Sequence, residues 1–495
     1  MGKNAIKRAI EEKRIGTGYG TMLACVIAMF ALLTAYYLRD SLSLRAFVKH
    51  PPPLSPHLQI IVPKVKSISW NSSTDPVEIV QNIVRGGVPV VIRNGPVGNW
   101  PLKYIDIIQF LQEKTDIVLP GVRWQPEPVF VLGNERDKGG MLGSADDRPL
   151  RYFNSSVGQF LNSLADPAQF RYWSGELAWF EEVFNISATK RSRRTKAGQK
   201  KPVTDWSVFK VVDAAFGAEL LSGEADLWVP MVWLSHAGVV AQTHFDPQHN
   251  FLSQLQGSKR LLLFPPYQPN MYPFPHIHRS YRQSQLRLEV AAVDRDLFPT
   301  LTLPPAHEVL LAPGETLYIP PYWHHRVEAL TTSVSLSVTS PASWEVAFSE
   351  MYWQRVPFGR FADTNQGRQV AVGAFLRRLV DALPFGQSLR EFADWIYVSR
   401  YRPLYPPRLL GEQRSRFICA AAPTEGTPIQ RELDAAAASF GQAADKIATL
   451  MGAVDAPLQL KRSFVADYSE ELSRWAVGPT DVVFFLHDCL AKGTD

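Results

Sequence analysis

Apolar positions gather in three kinds of run along this chain, and each kind predicts a different element. Thr21 to Leu38, TMLACVIAMFALLTAYYL, is uncharged and continuous over 18 residues, about 27 Å of helix at about 1.5 Å per residue. That is just long enough to span a bilayer. The run ends in Tyr36-Tyr37-Leu38-Arg39 without a small-residue cleavage site, and a Pro-rich stem from Pro51 to Pro63 sets it apart from the rest of the chain, so it predicts a signal anchor. A second kind is short: Glu315-Thr-Leu-Tyr-Ile319 is an apolar β-type run closed by Pro320-Pro321. The third is periodic. Thr427-Pro-Ile-Gln430 reads as a capping box with Pro at the first helical position, and Ile429, Leu433, Phe440, Ile447 and Leu450 follow one helical stripe to Gly452. Ala435 to Ala438 on that helix would admit close approach of another helix, in this chain or across a dimer. Glu176 to Phe184 also predicts a helix, with a strand near Val208 beyond it.

Charge around the first run predicts an orientation. Lys3, Lys7, Arg8, Lys13 and Arg14 precede it and Arg39, Arg45 and Lys49 come after it, so the positive-inside rule places the N-terminus in the cytosol and the rest in a lumen. The expectation is a single-pass type II membrane protein of the endoplasmic reticulum or Golgi. Sequons at Asn71, Asn154 and Asn185 are compatible with that, as is a single bridge between Cys419 and Cys489. The formal net charge is only +5, and its sharpest feature is KRSRRTKAGQKK from Lys190 to Lys201. A lumenal location excludes nucleic acid as its partner. The readings left are a flexible surface insertion, a guide for an acidic protein or glycan, or a convertase site at Arg191-Ser-Arg-Arg194. At 495 residues and 46% hydrophobic the chain can bury one substantial catalytic domain plus a helical region. It carries no internal repeat, zinc-finger spacing, Walker loop or GxSxG.

The chemistry is carried by His244-Phe245-Asp246 and, much later, His325 in YIPPYWHHRVE. Side chains two apart on a strand share a face, so His244 and Asp246 project together while Phe245 turns away. Two histidines and one carboxylate match the facial triad that holds Fe(II) and leaves positions open. The third ligand must come from a strand distant in sequence, and the β-type run before His325 places it at a strand mouth. An HxD pair alone is weak evidence; its surroundings strengthen it.

Those surroundings, WLSHAGVVAQTHFDPQHNFLSQLQGSKRLLLFPP from Trp233 to Pro266 together with Ile319 to Glu328, resemble the JmjC and cupin-like branch of the 2-oxoglutarate dioxygenases. They are closest in pattern to the asparaginyl hydroxylase type that acts on hypoxia-inducible factor. Gly238, Asn250 and Gly257-Ser258-Lys259-Arg260 occupy the family's marked positions, and Gly87 to Pro96 with Trp100-Pro101 looks like its entry strand. The resemblance implies a mainly β core, a double-stranded β-helix of cupin or jelly-roll type with flanking helices, and the cofactors Fe(II) and 2-oxoglutarate. It implies that Lys259 supplies the cation for the distal carboxylate of 2-oxoglutarate, that Tyr172 shares that carboxylate, and that Asn250 and Thr339 lie near the cosubstrate. Ala241 departs from the pattern, because close relatives carry Thr there; Thr243 points to the opposite face from His244 and cannot replace it. His324 reads as packing or as a hydrogen-bonding neighbour of the ligands. His249, His276 and His278 read as surface or substrate-facing residues, and Trp323 and Trp344 as barrel packing.

The resulting division is a cytosolic tail (1–20), an anchor (21–38), a stem (39–66), a dioxygenase domain (67–345) and a helical region (346–495). By resemblance the helical region supports a homodimer, though packing on the barrel is an equal alternative. The expected activity is hydroxylation of a protein side chain, with a protein or peptide as partner. Two other readings stay open: a non-catalytic cupin-like binding module, and a hydroxylase of a small molecule, lipid or glycan. Histone demethylation fits poorly, since reader modules are lacking.

Overall fold

The computed structural model describes residues 64–70, 76–95, 107–130, 150–164, 166, 170–184, 230–266, 269–288, 294–301, 306–340, 342–414 and 417–491. Strands β1 (Lys66–Ser69), β2 (Val90–Arg93), β3 (Val118–Gln125), β4 (Val129–Phe130), β5 (Arg151–Ser156), β6 (Phe170–Glu176) and β7 (Met231–Ser235) lead into the site-bearing set. That set is β8 (Val240–His244), β9 (His249–Gln256), β10 (Lys259–Phe264), β11 (His307–Leu311), β12 (Thr316–Ile319), β13 (His324–Ala329) and β14 (Ser333–Ser340). They form a nine-stranded sheet in the order β1-β2-β12-β9-β14-β7-β6-β3-β5 and a five-stranded sheet in the order β11-β10-β13-β8-β4. Neighbours in space are often far apart in sequence, the mark of a jelly roll.

Alternation explains the layers. In β10, Lys-Arg-Leu-Leu-Leu-Phe, Leu261 and Leu263 turn inward to meet Leu252, Leu317 and Ile319 of the opposing sheet. Leu262 and Phe264 turn outward under a cover made by Met271, Tyr272, Leu286 and Leu288. A strand buried on both faces has to read as a nearly continuous apolar run, and this one does. The turn between β9 and β10 depends on Gly257, which has φ +72°; a Cβ there would collide with the carbonyl of Thr332. The outer face of the large sheet is covered by α1 (Pro76–Arg85), α2 (Ile107–Gln112), α3 (Val157–Ser163) and α4 (Leu177–Val183) through Val80, Ile83, Leu111, Phe160 and Phe180.

After β14 the chain turns helical: α5 (Ser343–Ser349), α6 (Asn365–Ala382), α7 (Leu389–Ile396), α8 (Pro407–Arg414), α9 (Pro428–Ala453) and α10 (Leu458–Val477). Of the expected stripe on α9, Phe440 and Ile447 are buried and Ile429, Leu433 and Leu450 pack against the same core, which includes Phe375 and Leu379 of α6. Its cap is half of a capping box. The Thr427 side chain accepts from the Gln430 N–H, but the Gln430 amide donates to Asp434 instead of reaching back. Ala435 and Ala438 stay exposed, and no feature of the described residues adds to the expectation of a dimer. Cys419 and Cys489, 70 positions apart, form a disulfide.

The membrane placement is corrected. Among the described residues no helix is long and apolar enough to cross a membrane. The apolar run 21–38 on which the expectation of a lumenal type II protein rested lies outside the described residues. So do Asn71, Asn185, the strand near Val208, Trp100-Pro101 and the basic segment 190–201. Asn154 is described, on the exposed part of β5, with its Oδ1 accepting from the Gly121 N–H at 3.2 Å.

The helical region is pinned to the jelly roll by a buried ionic network. Arg400, on the π-helical turn Tyr397–Tyr401 after α7, donates from Nη1 to Asp467 Oδ1 at 2.6 Å and Glu470 Oε1 at 2.9 Å, and from Nη2 to the Ser463 carbonyl at 3.0 Å. Glu470 also accepts from the His276 N–H, and the Arg400 carbonyl accepts from the Gln285 amide; His276 and Gln285 belong to the segment covering the small sheet. Burial pushes the Glu470 carboxyl up, and Arg400 opposes that shift. Arg400→Met leaves Glu470 buried without its cation, which costs about 3–5 kcal/mol. A large fall in the urea midpoint of unfolding is the expected result; an unchanged midpoint would show that the network does not brace the fold.

Candidate active site

One irregularity aims the central residues. In a plain strand Ala241 and His244, three apart, would face opposite sides. On β13, however, the step from His325 to Val327 is matched on β8 by the longer step from His244 to Ala241, so β8 carries an extra residue in a β-bulge. The bulge turns Ala241 and His244 onto the same cavity wall, while Thr243 is fully buried and does not line the cavity. Asp246 follows just beyond β8. Its backbone carbonyl accepts from the Tyr322 N–H at 2.7 Å, and Tyr322 holds φ at +60°, an unusual conformation for a bulky residue. The tight turn at Tyr322 delivers His325 directly opposite His244, with ring centroids 4.2 Å apart.

His244, Asp246 and His325 each present one ligand-type atom, all within 4.8 Å of one another. His244 Nδ1 lies 2.7 Å from the Gln242 carbonyl and His325 Nδ1 2.9 Å from the Trp323 carbonyl. A carbonyl only accepts, so each Nδ1 carries the proton and each Nε2 is left with a lone pair. His325 Nε2 sits 3.6 Å from Asp246 Oδ2. Burial, then the neighbouring His244, pushes His325 down to about 4, so its ring is neutral at pH 7. Burial works to raise the Asp246 carboxyl, but His244, His325, Arg282 and a 3.4 Å hydrogen bond from Asn250 Nδ2 outweigh it, and it stays ionised. Neutral imidazole and ionised carboxylate are the protonation states a divalent metal requires.

The triad opens into a cavity of about 330 Å³ between the sheets. Lys259, at the start of β10, lines it and is 5% exposed. Burial alone lowers its ammonium to about 7, and no ion pair meets it among the described residues. Tyr172 also lines the cavity; burial raises its phenol to about 12 against the pull of Arg123, whose guanidinium lies 4.8 Å from the ring centroid, so it is a protonated donor. Asn250 lines it too, and its Oδ1 is buried without a partner. A buried cation lacking a counter-charge is costly, and here one faces the same cavity as three converging metal-type donors. This donor set fits a divalent ion together with a carboxylate-bearing ligand.

Other expectations fare differently. Thr339 lies opposite Asn250 in the ladder but does not line the cavity; Ser337, two residues earlier, does, and accepts from Trp233 Nε1 at 2.8 Å. His249 and His278 are not surface residues. His249 is buried with Nδ1 2.9 Å from Tyr318 Oη, and His278 is buried against Phe274 while accepting from the Ser280 N–H. His276 is half-buried between Asp467 and Glu471. His324 is buried beside Phe245, Trp323 belongs to the inner core and Trp344 stacks on Tyr322. Arg282 and Gln283 line the cavity and were not anticipated. They sit in coil, brought to the site by Phe245 N–H donating to the Arg282 carbonyl at 3.0 Å and by a bridge between His244 and Gln283.

Two sheets closed around a cavity, with two imidazoles and a carboxylate at one point and a buried ammonium facing the same space, define a cupin-type jelly roll. The chain belongs to the cupin-like domain family, whose sequence profile matches residues 76–353. The JmjC members of that family use Fe(II) and 2-oxoglutarate. Jumonji C domain-containing protein 5 of Drosophila melanogaster is 38% identical over 107 residues, 21% of this chain and 26% of that protein. Lysine-specific demethylase JMJ30 of Arabidopsis thaliana is 36% identical over 116 residues, 23% of this chain and 26% of that protein. tRNA wybutosine-synthesizing protein 5 of Danio rerio is 30% identical over 126 residues, 26% of this chain and 36% of that protein. The matches thus span about a quarter to a third of the length of these relatives.

Lys259 gives the site a pH signature. Its ammonium, lowered to about 7 in the free protein, is raised again when a carboxylate pairs with it. If that carboxylate belongs to 2-oxoglutarate, its affinity would be full below that pH and fall by up to about tenfold per unit above it. Calorimetry with Mn(II) in place of iron checks this. Lys259→Met should bind weakly and lose the slope, whereas an unchanged slope would assign the proton to another group.

Proposed function

We propose that this chain is an Fe(II)- and 2-oxoglutarate-dependent hydroxylase of a polypeptide side chain. The observation that carries the reading is the uncompensated, buried ammonium of Lys259 in the same cavity as His244, Asp246 and His325. His244 Nε2, the Asp246 carboxylate and His325 Nε2 hold the metal, and the backbone carbonyls of Gln242 and Trp323 fix both rings. Lys259 and the phenol of Tyr172 receive the distal carboxylate of 2-oxoglutarate, and Asn250 orients Asp246 while offering its free Oδ1 to the cavity. Bound Fe(II) and 2-oxoglutarate supply the oxidising power for oxygen insertion into a C–H bond, with succinate and carbon dioxide as co-products.

The chain's own task is to place that bond and keep water out. Val239, Leu252, Ile319 and Val327 make the wall apolar around the triad. Arg282 and Gln283 add polar groups on the same wall, suited to a polar side chain reaching the metal. Ala241 leaves unfilled the hydrogen bond that a Thr would give, so cosubstrate binding leans more heavily on Lys259 and Tyr172. A protein substrate is consistent with the lysine-specific demethylases among the relatives.

Incubation of the full chain with Fe(II), ascorbate and 2-oxoglutarate should release succinate without added substrate. Asp246→Ala should abolish that release. Lys259→Ala should raise the KM for 2-oxoglutarate by about 100-fold, the effect of losing a charged hydrogen bond worth about 3 kcal/mol. Succinate release that survives Asp246→Ala would refute the assignment. A chain that binds neither iron nor 2-oxoglutarate would be a binding module instead.

A further inference from the structure

A second cavity, of about 320 Å³, lies behind the wall that carries the triad. Where His244 and Asp246 face the first cavity, Phe245 between them lines the second; where His325 faces the first, His324 lines the second. Arg282 borders both, so the two spaces meet at that residue. The far side of the second cavity is formed by the helical region, and Phe245, Phe274, Tyr322, Tyr352, Trp395 and Phe464 make most of its character.

Its chemistry narrows the occupant. The wall contains Arg282 and Arg400, while Asp467 is already engaged by Arg400, which disfavours a cationic ligand. Gln459 Oε1 and both ring nitrogens of His324 are buried in the wall without partners. Such groups need donors and an acceptor, which peptide amides supply and a hydrocarbon chain does not. Tyr352 at 43%, its neighbour Trp353 at 80% and Leu458 at 50% relative exposure leave apolar surface open beside the cavity. Exposed aromatic surface next to a deep pocket is the composition of a site that grips an anchor residue from another polypeptide.

We infer that this second cavity is the subsite that receives a large aromatic side chain of the substrate polypeptide, close in sequence to the side chain presented in the first cavity. The inference rests on the hydroxylase reading for its meaning and deepens it by naming a feature of the substrate. Arg282 is then the pivot between the anchor and the reacting residue.

The test uses N-acetyl-tryptophan amide as probe and equilibrium dialysis against the full chain without metal or cosubstrate. Saturable binding with a Kd of about 1 mM is expected, with N-acetyl-alanine amide far weaker. Ser463→Phe places a ring in the cavity and should weaken the probe at least about tenfold while leaving succinate release without substrate at its normal rate. Tyr352→Ala, at an exposed position, should weaken it about threefold, and carries the test if Ser463→Phe fails to fold by circular dichroism. No saturable binding, or binding unchanged in the folded variants, overturns the inference even when succinate release is intact. So does tighter binding of decanoate, which would mean a lipid, or of N-acetyl-trimethyllysine amide, which would mean a cation. Probe binding that responds to the variants in a chain lacking succinate release would support an aromatic anchor site and defeat the hydroxylase reading alone.

Discussion

The pairing of β8 with β13 is the constraint on which the rest depends. A jelly roll brings strands remote in sequence side by side, but a regular ladder would leave Ala241 and His244 on opposite faces. The extra residue in β8 resets the phase, so that the wall is apolar up to Ala241 and carries metal-type donors from His244 onward. His325, held opposite His244, then completes the triad. Because both Nδ1 protons are spent on backbone carbonyls, the rings cannot easily turn, and their Nε2 atoms are preorganised.

The helical region takes part in this arrangement. Tyr322, whose N–H holds the Asp246 carbonyl, has its ring against Trp344 and Phe464, residues of α5 and α10. Arg400, Asp467 and Glu470 lock α10 and the turn after α7 to the segment covering the small sheet. The position of the carboxylate thus depends on packing more than 100 residues downstream of Tyr322.

Part of the site was legible because it rests on local rules. The His-x-Asp spacing and the β-type run before His325 are visible in a linear chain, although Asp246 falls just beyond β8 and not on it. Lys259, Tyr172 and Asn250 were legible only through the family resemblance, and the structure brings all six residues to one cavity. The helix from Pro428 was equally readable from its cap and stripe. The features that stayed hidden depend on tertiary context. A bulge has no composition of its own, so the phase of Ala241 could not be read. Arg282 and Gln283 lie in coil, where no periodicity marks an inward side chain. Ser337 rather than Thr339 reaches the cavity, although the two share a face of β14. His249 and His278 looked exposed beside prolines but are buried by segments distant in sequence. The membrane reading drew on residues apart from the domain, and no described helix supports it.

The most direct test is a crystal structure of the full chain grown anaerobically with Fe(II) and 2-oxoglutarate, with diffraction recorded at the iron edge. One anomalous peak is expected within about 2.2 Å of His244 Nε2, an Asp246 oxygen and His325 Nε2, with the distal carboxylate of 2-oxoglutarate against Lys259 Nζ. Iron found elsewhere, or 2-oxoglutarate bound with Lys259 still unpaired, would contradict this assignment.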